Sequence, residues 1–319
     1  MSGAPALGDA DRLELLDGLI YADAFDCALA LEELWRYARK EIPRDRLATL
    51  LREDAALRSL LVEQAGLFCL AGREHLLVVR RGRLARARTL ERRARRVSRL
   101  LRHVPFVRGL TLTGSVAAGD ASAGADVDLL VVVAPSRVGT VFLLLGPASR
   151  LLGRSLFCPN YYLGQDHLAT DESGPYIAHE LVQARPVVGG DVLVAANPWV
   201  REVFPNVEAG APRTLPQGSR LQGLFERPLR GRLGERVERR ARAVALRRLQ
   251  AHYGLHGRGV PAEVAERLAA GSALQFHGKR VKEHTLERYE ARRGELQQQL
   301  AARQVDPSAP LVREPQRPR

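Results

Sequence analysis

Lysine is almost missing from this chain. Lys40, Lys279 and Lys282 are its three lysines among 49 basic residues, so arginine supplies nearly all of a formal net charge of +13. A surface of always-charged guanidinium forks favours polyanionic partners. Enrichment in Ala, Leu, Gly and Arg is also what a GC-rich coding bias produces, so charge alone leaves both readings open. Cysteine is scarce too: Cys27, Cys69 and Cys158 are odd in number and far apart, without a C-x-x-C pair. That excludes a disulfide framework and a cysteine zinc site. Long hydrophobic runs are lacking as well. The most apolar stretch, 129–145, is broken by Pro135, Ser136, Arg137 and Gly139, which argues against a membrane span and a membrane partner. Residues 1–10 carry no basic segment followed by an apolar one, so no secretory signal is read and a cytoplasmic location is expected.

What is present is a 319-residue chain with 45% apolar content, enough for more than one compact unit. Residues 11–72 read as three short helices, centred on Leu16, Leu34 and Leu47, followed by a hairpin whose strands are 60–63 and 67–70. This order is similar to a winged helix, with 43–52 in the place of its recognition helix. From 80 to 103, Leu84, Ala87, Leu90, Ala94, Val97 and Leu101 recur at spacings of three and four, which predicts one long amphipathic helix. Its other faces are packed with arginine. They form either a solvated surface or a basic rail beside a nucleotide or nucleic-acid cleft.

A strand at 107–113, a buried strand at 127–133, a helix at 138–152, a strand at 155–163 and a helix at 176–184 follow, giving a mixed sheet covered by helices. Residues 207–219, rich in Pro and Gly, read as a linker. Helices are expected at 234–253, 261–270 and 279–302, and the polar end as disordered. The expected layout is therefore α+β, in four parts: a winged-helix-like module (1–78), a central domain (79–206), a helical C-terminal region (207–303) and a tail (304–319).

The chemistry is concentrated in LTLTGSVAAGDASAGADVDLLVVV, residues 110–133. An apolar strand stops at Gly114, where a missing side chain lets backbone amides approach a phosphate, and Ser115 adds a hydroxyl. Asp126 and Asp128 are two apart at the mouth of the next strand. Their carboxylates then share a face, with Cα atoms roughly 7 Å apart. Two such carboxylates repel one another unless a cation joins them.

A strand, Gly114-Ser115, ten intervening residues and Asp126-Val127-Asp128 before an apolar strand together resemble the signature of the DNA polymerase β-like nucleotidyltransferase superfamily. The resemblance covers about residues 84–185. It implies that Gly114 and Ser115 bind nucleotide phosphates, that Asp126 and Asp128 hold Mg²⁺ or Mn²⁺, and that the donor is a nucleoside triphosphate, expected to be ATP. The acceptor is left open among a small molecule, a protein side chain and an RNA end.

The superfamily usually carries a third carboxylate on a later strand, and here 155–163 has none. Asn160 stands at that point, so Asp166 after the strand is expected to supply the acid, with Glu180 on the next helix second. Arg185 is a candidate triphosphate contact, Tyr161 and Tyr162 candidate stacking partners, and His167 and His179 candidate acids, bases or ligands. The alternative function is a non-catalytic nucleotide-sensing or DNA-binding regulator on a degenerate transferase fold.

Overall fold

The computed structural model describes residues 7–170, 172–208, 215–216, 218–255, 257, 259–275 and 279–305, without the side chains of 279–281 and 303–305. Most of the expected linker and nearly all of the expected tail lie outside these residues. The chain opens with α1 (Asp9–Asp23), β1 (Leu29–Ala30), α2 (Leu31–Arg36), α3 (Arg44–Glu53), α4 (Ala55–Leu60), β2 (Leu61–Gln64) and β3 (Leu67–Leu70). These strands form a small antiparallel sheet in the order β1-β3-β2. The long arginine-rich helix is α5 (His75–Leu101), one turn longer at its start than its pattern predicts, because Leu76 and Leu77 pack under β3.

The central part runs β4 (Val107–Leu112), α6 (Gly114–Ala117), β5 (Asp128–Val133), α7 (Val138–Leu152), β6 (Cys158–Gly164), α8 (Pro175–Gln183) and β7 (Arg185–Val188). After it come α9 (Leu193–Ala196), α10 (Val200–Val203), α11 (Arg220–Glu226), α12 (Arg232–Gly254), α13 (Ala262–Ala270), β8 (Ala273–Gln275) and α14 (Lys279–Val305). Five strands make a mixed sheet in the order β7-β4-β5-β6-β8, in which only β5 and β6 run parallel. The fold is mixed α+β, as expected. β1 and β8, of two and three residues, are too short for a periodic signal, and β7 has no hairpin partner beside it in sequence to mark it.

β5 explains how one apolar run serves two cores. Leu129, Val131 and Val133 face a layer made by α5, α7 and α12, while Leu130 and Val132 face a second layer shared with α1, α8 and α14. A strand covered on both faces must be apolar at every position. Glu238 of α12 fixes the first layer, accepting the Gly139 and Thr140 amides at 2.9 and 2.8 Å at the start of α7. A carboxylate there satisfies amides that the helix leaves free. Among the described residues no helix is long and apolar enough to cross a membrane.

Candidate functional site

The two-residue alternation of β5 puts Asp128 on the side of Leu130 and Val132, facing the N-terminal helices and α8. There it lines a cavity of about 490 Å³ with Gly114, Ser115, Asn160 and Glu180. Aromatic residues close other sides, Tyr21 and Phe25 from α1 and Tyr176 from α8, and the C-terminal part contributes Arg267, Gln275 and Lys282. Three stretches far apart in sequence thus enclose one space.

Gly114 has φ +65°, and a Cβ there would lie 2.7 Å from the Asp128 carboxylate. Only glycine suits both the left-handed backbone and this approach. The turn and the acid-bearing strand are therefore built against each other, with the Thr113 amide donating to the Asp128 carbonyl at 3.0 Å. Burial pushes the Asp128 carboxyl up to about 6, helped by the charge of Asp126, while Arg154, the Asn160 amide and the Cys158 thiol pull it back down. Glu180 is pushed up to about 7, first by burial and then by the charge of Asp128.

Asp126 behaves differently from the expected matched pair. It precedes β5, and its carboxylate is held 2.8 Å from Arg154 Nη2. Arg154, at the turn into β6, is a counter-ion that no motif announced.

Asp166 is displaced from the place expected for it. β6 runs parallel to β5 with Asp128 opposite Cys158 and Val133 opposite Gly164, so Asp166 lies beyond the far end of the sheet. It lines a separate open cleft with Arg108 and Arg230. Six strand residues separate the two ends by about 20 Å. Chain proximity to the expected strand misled because the strand carries its C-terminal end away from the acids. Among the described residues no cluster of three or more His, Cys, Asp or Glu side chains is grouped to hold a metal ion.

Arg185 begins β7 opposite Leu112, at the site end of the sheet, but its guanidinium donates to Glu91 of α5 at 3.0 Å. Tyr162 is fully buried in the core and Tyr161 lines the cavity. His167 stands beside Asp166 at the far end. His179 is buried, stacked on Tyr21 at a centroid distance of 3.6 Å, and burial keeps it well below its ordinary pKa. Its ring also packs edge-on to Tyr37 and Phe204.

The Gly114-Ser115 turn is thus packed on the acid-bearing strand of a mixed sheet. Residues 93–162 match the family model described as a nucleotidyltransferase domain, which supports assigning this segment to the polymerase β-like nucleotidyltransferase superfamily. The match supports nucleotidyl transfer as the general function. Searches of curated proteins and of solved structures give no match.

Proposed function

We propose that the protein transfers a nucleoside monophosphate from a nucleoside triphosphate, ATP first among them, to an acceptor held in the 490 Å³ cavity. The observation that carries this reading is the contact between Gly114 and Asp128, which joins a turn open to phosphate with a desolvated carboxylate. Gly114 and Ser115 hold the triphosphate in this reading, and Asp126 and Asp128 hold Mg²⁺ or Mn²⁺. Asp128 and, once released from Arg154, Asp126 would offer carboxylate oxygens, which suit a hard cation that keeps phosphate and water for its remaining positions. When bound, the ion supplies charge neutralisation for the triphosphate.

Glu180 takes the role of the third acid. It faces the same cavity as Asp128, and a carboxyl pushed up to about 7 is matched to receiving the acceptor's proton near neutral pH. The divisions 1–78, 79–206, 207–303 and 304–319 belong to the same reading. The first and third supply the acceptor walls, through Tyr21 and Phe25 and through Arg267 and Lys282.

The test is incubation of the protein with each labelled triphosphate, Mg²⁺ or Mn²⁺, and panels of small hydroxyl compounds, proteins and RNA ends. Release of pyrophosphate is expected. Asp128→Asn should abolish it, and Glu180→Gln should slow it on the order of 10²- to 10⁴-fold, the span of a lost general base. A Glu180→Gln enzyme as fast as wild type would remove Glu180 from the mechanism.

One observation favours a second reading, a DNA-binding regulator. The order α1-β1-α2-α3-α4-β2-β3, with β1 paired to β3, is similar to a winged helix with the short α4 added before the hairpin, and Arg44, Arg46 and Arg52 on α3 are exposed. Salt-sensitive DNA binding that survives Asp128→Asn, with no turnover of any triphosphate, would replace the first reading by this one.

A further inference from the structure

The start of the arginine-rich helix is neither a solvated face nor a rail along the cleft. Arg80, Arg83 and Arg86 follow one another at intervals of three on α5 and reach the same short stretch of chain. Arg80 Nη1 donates to the Ala118 carbonyl at 3.0 Å, Arg83 Nη1 to the Asp120 carboxylate at 2.9 Å, and Arg86 Nη1 to the Ala121 carbonyl at 2.8 Å. Residues three apart on a helix share a face, so this spacing makes a clasp.

Arg80 is its buried member, 1% exposed. Its Nη2 donates to Glu33 Oε1 of α2 at 2.7 Å, and its Nη1 stands 3.7 Å from Asp120 Oδ1. A guanidinium taken out of water costs several kcal/mol unless it is paired, so its partners are part of one arrangement. Glu33 is committed on its other side as well, where Oε2 accepts the Ala30 amide at 2.8 Å at the start of α2. Gly119, with φ +71°, is held close to the clasp, since a Cβ there would lie 3.1 Å from Leu84 Cδ1 and 3.2 Å from Arg80 Nη2.

The clasped stretch is the continuation of Gly114-Ser115. α6 has four residues, too few to hold a helical turn unaided. The Ala118 carbonyl that Arg80 takes is the cap residue of that turn, and the Asp120 amide closes it onto the Ser115 carbonyl at 2.7 Å. We infer that Arg80 is the positioning residue of the 114–121 turn, and that through Glu33 it makes the shape of that turn depend on the N-terminal segment. The functional part of this inference rests on Gly114 and Ser115 being the nucleotide turn. Arg80 touches no reacting group; it sets the backbone that does.

The experiment uses the full chain as wild type, Arg80→Lys, Arg80→Met and Glu33→Gln, with Arg88→Ala, on the exposed face of α5, as the control. Two quantities are read: hydrogen exchange of the 114–121 amides, and the Kd of a fluorescent ATP analogue with Mg²⁺. Glu33→Gln keeps one acceptor for the Ala30 amide and turns an NH2 donor toward Arg80, so the charge and the Arg80 hydrogen bond are lost together. It should speed exchange in 114–121 on the order of tenfold and weaken the analogue by a similar factor, as loss of one charge-assisted hydrogen bond allows. Exchange in β4 and β5 should stay at the wild-type rate. Arg80→Lys should recover only part of the loss, since an ammonium cannot span the carbonyl and both carboxylates. Wild-type exchange of 114–121 in both Arg80→Lys and Glu33→Gln would overturn the inference, and these two variants decide it even where Arg80→Met fails to fold. A wild-type protein that does not bind the analogue would count against the nucleotide reading, whereas the exchange result still decides the clasp.

Discussion

Gly114 and Asp128 show how much one pair of residues can settle. The missing Cβ and the carboxylate occupy adjoining space, 2.7 Å apart by the position a methyl would take. Gly114→Ala should therefore cost about 1–3 kcal/mol, from the left-handed backbone together with displacement of the acid. Chemical denaturation measures that loss, and transfer activity should fall with it. Asp128 has a sign that can be worked out. Its folded pKa lies above its ordinary value, so the folded state holds the proton more tightly and loses stability as pH rises through about 6. Asp128→Asn removes that penalty. With a chelator present, the variant should melt higher than wild type at pH 8 and level with it near pH 4. Equal melting temperatures at pH 8 would show that the carboxylate is not desolvated.

Among the elements, α11 illustrates a clamp that acts through charge. Glu226 at its end accepts the Phe106 amide at 2.8 Å and binds Arg108 at 2.9 Å, holding the start of β4. Burial by itself would raise its carboxyl, but the hydrogen bonds from Arg108, Phe106 and Arg230 outweigh it and hold it at about 2. A depressed folded pKa contributes stability that is complete above the ordinary carboxylate range and is lost as pH falls from about 4.5 toward 2. Wild type should lose melting temperature steeply over that window. Glu226→Gln should start lower and change less, and parallel curves would refute the clamp. α5 divides along its length at the same scale: its first arginines hold the 114–121 turn, whereas Arg88, Arg92, Arg96 and Arg99 remain exposed.

Across the molecule, the cavity takes walls from α1 and α14, which pack on one another. α14 lies on α1, where the fully buried Asp17 accepts the Tyr289 hydroxyl at 2.7 Å and pairs with Arg293 and Arg39. Asp23 of α1 binds both Arg73 and Arg292, at 3.0 and 2.8 Å. Arg39 and Arg293 are about a third exposed and can turn to water, so the main loss in Asp17→Ala is the acceptor of the Tyr289 hydroxyl, and it should cost about 1–3 kcal/mol. It should also expose α14 to limited proteolysis ahead of global unfolding. Resistance equal to wild type would mean that the apolar contacts of Tyr289, Leu296 and Leu300 hold the helix alone.

The sequence by itself determined what depends on local spacing. The periodicity of α5, the apolar run of β5, and the Gly-Ser turn ten residues before Asp-Val-Asp are all patterns of neighbours, and they pointed to a mixed sheet in a nucleotidyltransferase domain. Tertiary structure alone decided which distant residues share the site. Nothing near Glu180 in the chain marks it as facing Asp128, and nothing near Asp166 marks it as lying at the opposite end of β6. The strand pairing sets both. The meaning of the arginines was equally illegible, because a solvated guanidinium and a buried one are the same letter. Only the partners that Glu33 of α2 and the 114–121 turn bring to it separate Arg80 from its exposed neighbours, through the cost of burying a charge without partners.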